Sequence, residues 1–145
     1  MQLSGQATLE RPAPAQAPRF DSAPAQDAPL KLWFDGELVD ADRLQAPLNT
    51  HALHYGSGVF EGIRAYSTKR GAAVFRLPEH LERMRKGAEL LGMRFDIAQA
   101  TEAVLSTLRA NRQGDAYIRP LAWYGEGSFG LDVGSHPQHL MVATS

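Results

Sequence analysis

The sequence contains no cysteine. Disulfide scaffolds, thiolate zinc sites and cysteine nucleophiles are therefore excluded. It also lacks an excess of either charge: Lys and Arg number 15 and Asp and Glu 16, for a formal net charge of −1. Without a bulk basic field to hold a phosphate backbone, a nucleic-acid partner is not expected. No apolar run approaches the roughly 20 residues of a membrane span. The opening MQLSGQATLE has neither the basic start nor the apolar core of a signal peptide. These absences lead to the expectation of a soluble cytoplasmic protein with no membrane partner. What is present is 145 residues, 43% hydrophobic and 21% charged. That is the composition and length of one globular domain, of a size that buries roughly two-thirds of its unfolded surface.

Residues 1–30 stand apart, with seven Ala, five Pro and four Gln and no apolar period of 2 or 3.6. Such a stretch buries too little to offset its ordering entropy, so a disordered tail is expected there. Globular sequence starts near Lys31. Asp35-Gly36 between Leu32-Trp33-Phe34 and Leu38-Val39 predicts a tight hairpin, because both turn positions must accept positive φ. Asp40 to Asn49 reads as irregular. Tyr55 to Tyr66 reads as one strand, with Phe60, Gly62, Arg64 and Tyr66 on one face and Val59, Glu61, Ile63 and Ala65 on the other. A turn at Lys69-Arg70-Gly71 leads to a short strand over Ala72–Arg76.

Two helices are predicted next. Pro78 suits a first helical turn, Leu81, Met84, Ala88 and Leu91 recur at helical spacing, and Gly92 suits the stop. The second opens at Asp96, with Gln99 three residues on, and carries Ile97, Ala100, Val104 and Leu108 as its stripe. Ala116–Tyr124 is a strand, a Gly-rich loop spans Gly125–Gly134, and His139–Thr144 starts another strand. The apolar run at Leu140–Ala143 has no closing turn or polar tail after it, so a fragment or truncated gene is expected.

Gly125-Glu126-Gly127-Ser128-Phe129-Gly130 matches G-x-G-x-x-G, but a dinucleotide site needs a helix to follow, and Leu131–Pro137 is no helix start. Those glycines mark a loop that bends sharply or admits a close approach. The pairs His51/His54 and His136/His139 lack the H-E-x-x-H pattern and a carboxylate cluster, so packing or hydrogen bonding within the fold is expected, not a metal. Ser57 and Ser128 lie outside any G-x-S-x-G elbow. Arg83 and Lys86 share a helix face, which suits either a solvated surface with Glu82–Lys86 pairing or capture of an anion. Arg64 and Arg119 each lie within an apolar strand beside aromatics. Such a charge sits on the solvent face or is held for an anionic ligand.

Four motifs occur in order: His51-Ala52-Leu53-His54-Tyr55-Gly56, Val59-Phe60-Glu61-Gly62-Ile63-Arg64, Glu79-His80-x-x-Arg83, and Ala116-Tyr117-Ile118-Arg119-Pro120-Leu121. Over about residues 31–145 the chain resembles the small N-terminal domain of branched-chain aminotransferases, fold type IV pyridoxal-phosphate enzymes. The resemblance implies an α+β fold, a mainly antiparallel sheet with two helices packed on it. It implies Arg83 on the cofactor phosphate, Phe60 lining the substrate side-chain pocket, and Tyr117 and Arg119 handling substrate carboxylates. Tyr55 and Leu131 resemble residues that reach the neighbouring subunit's pocket in a homodimer or higher homo-oligomer.

The implied reaction moves an amino group between leucine, isoleucine or valine and 2-oxoglutarate through pyridoxal phosphate. The family's Schiff-base lysine belongs to a C-terminal domain beyond residue 145, and Lys31, Lys69 and Lys86 do not match its position. No catalytic residue is therefore assigned, and this chain alone is expected to be inactive. Two other readings stand beside this one: a non-catalytic dimerisation or interaction module, and another fold type IV enzyme such as D-amino-acid aminotransferase or aminodeoxychorismate lyase. No role is assigned to Arg64.

Overall fold

A computed structural model describes residues 29–145. The tail expected over residues 1–30 lies outside the described residues, apart from its last two positions. Strands β1 (Lys31–Phe34) and β2 (Glu37–Asp40) form the predicted hairpin. Asp35 and Gly36 take φ of +46° and +110°, the left-handed values the tight turn demands. After a turn of 3-10 helix come α1 (His51–Tyr55), β3 (Gly58–Phe60), β4 (Ile63–Thr68) and β5 (Gly71–Val74). Helices α2 (Leu77–Leu90) and α3 (Ile97–Ala110) precede the long strands β6 (Ala116–Tyr124) and β7 (Gln138–Thr144).

The strands form one antiparallel sheet in the order β2-β1-β7-β6-β4-β5, with β3 also paired to β6. Helices α2 and α3 cover one face. Leu81, Val104 and Leu108 from the helices meet Ile63, Ile118 and Val142 from the sheet, all buried. The helix signals act as expected. Pro78 lies in the first turn of α2, and Gly92 takes φ +74° just past its end. Asp96 Oδ1 accepts from the N–H groups of Ala98 and Gln99, capping α3.

Three local expectations are corrected. The described residues hold a third α-helix beside the two expected: α1 spans only five residues, too few to show a period, and tertiary contacts hold it. The single strand expected over Tyr55–Tyr66 is instead the end of α1, then β3, a break at Glu61–Gly62, and β4. The short strand expected to reach Arg76 stops at Val74, because Arg76 takes φ +47° and turns the chain into α2.

The break has a physical cause. Pro120 sits mid-strand in β6 and has no N–H to give a neighbouring ladder. Residues Leu121–Trp123 of β6 pair with β3, residues Ala116–Ile118 pair with β4, and Pro120 falls opposite the gap. There its carbonyl accepts the Glu61 N–H at 3.1 Å. The face alternation survives the break: Glu61, Ile63 and Ala65 point inward and are buried, while Phe60, Gly62, Arg64 and Tyr66 are exposed.

Candidate functional site

The extended backbone carries its pleat through the break between β3 and β4, so consecutive side chains still face opposite sides of the sheet. Phe60 stands on the sheet face opposite α2 and α3 and is 60% exposed. Alternation along β6 puts Tyr117, Arg119, Leu121 and Trp123 on that same face, each half-buried. The Arg119 guanidinium carbon lies 4.3 Å from the centre of the Phe60 ring and 5.2 Å from that of Tyr117. Arg119 also donates to the Tyr117 hydroxyl. Gly62 makes room for this arrangement, since a Cβ there would lie 2.7 Å from the Tyr117 hydroxyl oxygen. Beside it opens an apolar groove of about 790 Å³ whose walls include Phe34, Leu53, Phe60, Leu121, Trp123 and Met141.

Glu61 turns the other way, under α2, and is 5% exposed. Arg83 grips it with two parallel hydrogen bonds, Nε to Oε1 at 2.5 Å and Nη2 to Oε2 at 2.6 Å. His80, one helical turn earlier, bonds Oε2 through Nδ1 at 2.9 Å. The Arg83 bonds, aided by His80 and opposed by burial, hold the Glu61 carboxyl below its ordinary pKa. The same pair raises the pKa of Arg83. The Arg83 side chain remains 70% exposed. Its Nη1 group has no hydrogen-bond partner among the described residues and points no donor at Glu61.

A third assembly joins α1 to the loop between β6 and β7. The His51 N–H bonds the Gly125 carbonyl at 2.8 Å, and the Tyr55 hydroxyl donates to the Phe129 carbonyl at 2.5 Å. Leu131 projects from this loop, 79% exposed. Two of the G-x-G-x-x-G glycines, Gly125 and Gly127, admit histidine rings of the same chain, not a dinucleotide: a Cβ on Gly127 would meet the His136 ring at 2.5 Å. The chain then enters β7 antiparallel to β6, with no helix at that point. The histidines bond within the fold, His51 to Ser57 Oγ at 2.6 Å, His54 to the Leu48 carbonyl at 2.8 Å and His139 to Asp35 at 2.6 Å.

Of the residues singled out in the sequence, the fold therefore unites Phe60, Tyr117 and Arg119. It places Arg83 on the far side of the same break, and Tyr55 with Leu131 on the loop assembly. Arg64 is exposed on β4, opposite Tyr117 in register. Lys31 pairs with Asp40, Lys69 lies in the β4–β5 turn, and Lys86 lies 3.9 Å from Glu82 on α2. Sequence reasoning missed Glu61 and His80 as the partners of Arg83. The available signal was an acid at an inward strand position, which needs a cation when buried.

Residues 58–145 match the family model described as amino-transferase class IV. The chain belongs to the amino-transferase class IV family. It is 40% identical over 114 residues to the branched-chain-amino-acid aminotransferase of Pseudomonas aeruginosa, a match that covers 77% of this chain and 37% of that protein. The Escherichia coli K12 enzyme of the same name is 39% identical over 105 residues, 70% of this chain and 33% of its own length. Among solved structures, the branched-chain aminotransferase of the thermophilic archaeon Thermoproteus uzoniensis, with norvaline, superposes with a TM-score of 0.76 at 36% identity. That match covers 81% of this chain and 41% of the archaeal chain. The Escherichia coli structure gives a TM-score of 0.77 at 33% identity, over 81% and 40%. The chain thus spans well under half the length of these relatives. Its mainly antiparallel sheet with three helices is the small-domain architecture of class IV aminotransferases.

Proposed function

We propose that this chain forms the small domain of a branched-chain amino acid aminotransferase, working in the cytoplasm on leucine, isoleucine or valine and 2-oxoglutarate with pyridoxal phosphate. The observation that carries the reading is the pair of arginines set on opposite sides of one kink, in a chain similar to enzymes of that name. Arg83 fits a phosphate, because its bidentate hold on Glu61 leaves Nη1 directed outward on an exposed side chain. Arg119 fits a carboxylate that comes and goes, because aromatic rings orient it without neutralising it.

When bound, pyridoxal phosphate supplies the electron sink that amino-group exchange requires. The chain's own residues bind and orient. Arg83 would donate to the phosphate. Arg119 and the Tyr117 hydroxyl would receive a substrate carboxylate. Phe60 and the apolar groove would wall a branched aliphatic side chain and exclude water from it. In the proposed homodimer or higher homo-oligomer, Tyr55 and Leu131 serve the neighbouring subunit, which suits the exposure of both, Tyr55 at the end of α1 and Leu131 on the loop that the Tyr55 hydroxyl ties down.

The test is a chimera in which residues 31–145 replace the matching segment of the Pseudomonas aeruginosa relative. Transamination of leucine with 2-oxoglutarate by the chimera is the expected result. A folded, cofactor-loaded chimera that turns over neither leucine, isoleucine nor valine overturns the reading.

A further inference from the structure

We infer that Glu61 is a positioning residue: its buried carboxylate fixes the Arg83 guanidinium in the orientation that presents Nη1 to a phosphate. The inference rests on the reading of Arg83 as the phosphate arginine. An exposed arginine on a helix ordinarily samples many rotamers, and ordering it costs side-chain entropy. Here the fork is held at Nε and Nη2, 2.5 and 2.6 Å from a carboxylate that cannot itself swing. Glu61 is 5% exposed, and its backbone N–H is fixed to the Pro120 carbonyl at 3.1 Å. His80 restrains the same carboxylate from the preceding turn of α2 at 2.9 Å. The kink that Pro120 forces on the β3–β4 edge therefore sets the direction of an arginine on a different element.

Charge alone makes the opposite prediction. A carboxylate beside an anion site repels the anion, so deleting its charge should tighten phosphate binding. Positioning predicts that deletion loosens it. The sign of one substitution decides between them.

The full 145-residue chain is titrated with pyridoxamine 5'-phosphate, which carries the phosphate but no aldehyde to react with surface lysines. Pyridoxamine serves as the phosphate-free control. Binding is followed by the Arg83 Nε–H signal and backbone amide shifts in 1H–15N spectra, which also report folding. Glu61→Gln is expected to weaken binding roughly tenfold, the scale of losing an outer-shell orienting partner, and to broaden the Nε–H signal. Arg83→Ala should weaken it at least as much, and pyridoxamine should bind none of the variants measurably.

Glu61→Asp keeps the charge but is too short to hold both Arg83 and His80. It should also weaken binding, and it stands in if Glu61→Gln does not fold. If Glu61→Gln binds as tightly as the wild-type chain or tighter while Arg83→Ala loses binding, positioning is overturned and the phosphate reading survives. If Arg83→Ala matches the wild-type chain, including no binding by either, the phosphate reading fails and takes the positioning role with it.

Discussion

Phe60 and Glu61 are neighbours in the chain and serve two different arginines. On the open side of the sheet, Arg119 is oriented by two aromatic rings and a phenolic hydroxyl. On the helix side, Arg83 is oriented by a buried carboxylate that a histidine also holds. The first arrangement leaves a cation with its charge unspent, which the proposed hold on a transient substrate carboxylate requires. The second gives up net charge for fixed direction, which suits an anion that stays. The pleat, kept through the break, lets both exist a residue apart.

The largest expected separation between the two arginines lies in binding. In a complete enzyme, Arg83→Ala should raise the cofactor Kd by about one to two decades, the scale of a lost charge-assisted hydrogen bond. Arg119→Ala should leave cofactor affinity nearly unchanged and act instead on the kinetics for glutamate. Equal cofactor loss in both variants, with glutamate kinetics spared in the second, would break the comparison.

Stability should separate the two sides next. Glu61→Ala removes a buried carboxylate that accepts charge-assisted bonds from two partners, and should destabilise the chain by about 2 kcal/mol. Arg119→Ala removes a half-exposed cation–π contact and should cost less than about 1 kcal/mol. Urea unfolding of both variants measures the difference, and a reversed order would place the structural load on the open face.

Gly62→Ala sharpens the same contrast by disturbing one side only. Its Cβ would crowd the Tyr117 hydroxyl at 2.7 Å, so Tyr117 must move and its bond to Arg119 must change. Near-ultraviolet dichroism and the Arg119 side-chain signals should shift, while the Arg83 Nε–H signal stays in place. A shift at both would mean that the two sides are mechanically coupled.

The smallest effect is a pH dependence confined to the Glu61 side. Its folded pKa lies below the ordinary value. The stability it contributes is therefore complete above the unfolded carboxylate pKa of about 4.3 and is lost as pH falls through the lowered folded value. Asp40, Glu79, Glu82 and Asp115 are lowered as well, so the wild-type acid limb is a sum. The difference between the wild-type chain and Glu61→Gln isolates the Glu61 part, and should shrink on going from pH 7 to pH 3. An unchanged difference would mean that Glu61 titrates alike in the folded and unfolded chain, and its burial between Arg83 and His80 would then contribute nothing that depends on its charge.

Local chemistry was legible from residues alone. Asp35-Gly36 announces its hairpin because few other pairs accept positive φ twice, and the stripes of α2 and α3 show because 14-residue helices complete several periods. The inward and outward faces of residues 59–66 were legible too, since alternation depends on the pleat and survives a break. The short α1 was not legible, because five residues hold no period and its anchor, the Gly125 carbonyl, is 74 positions away. Four motifs in order pointed to the family and to Phe60, Tyr117, Arg119 and Arg83 as candidates.

Which of those residues meet was decided only in three dimensions. Nothing in a linear pattern pairs Glu61 with Arg83 across 22 positions, or sets Pro120 opposite the gap between β3 and β4. Residue types carry propensity, turn chemistry and the capacity to hold an anion, and these act over a few neighbours. Direction, burial and partnership come from packing, because a carboxylate becomes a fixed anchor only when the sheet and helix closing over it leave it nowhere else to go.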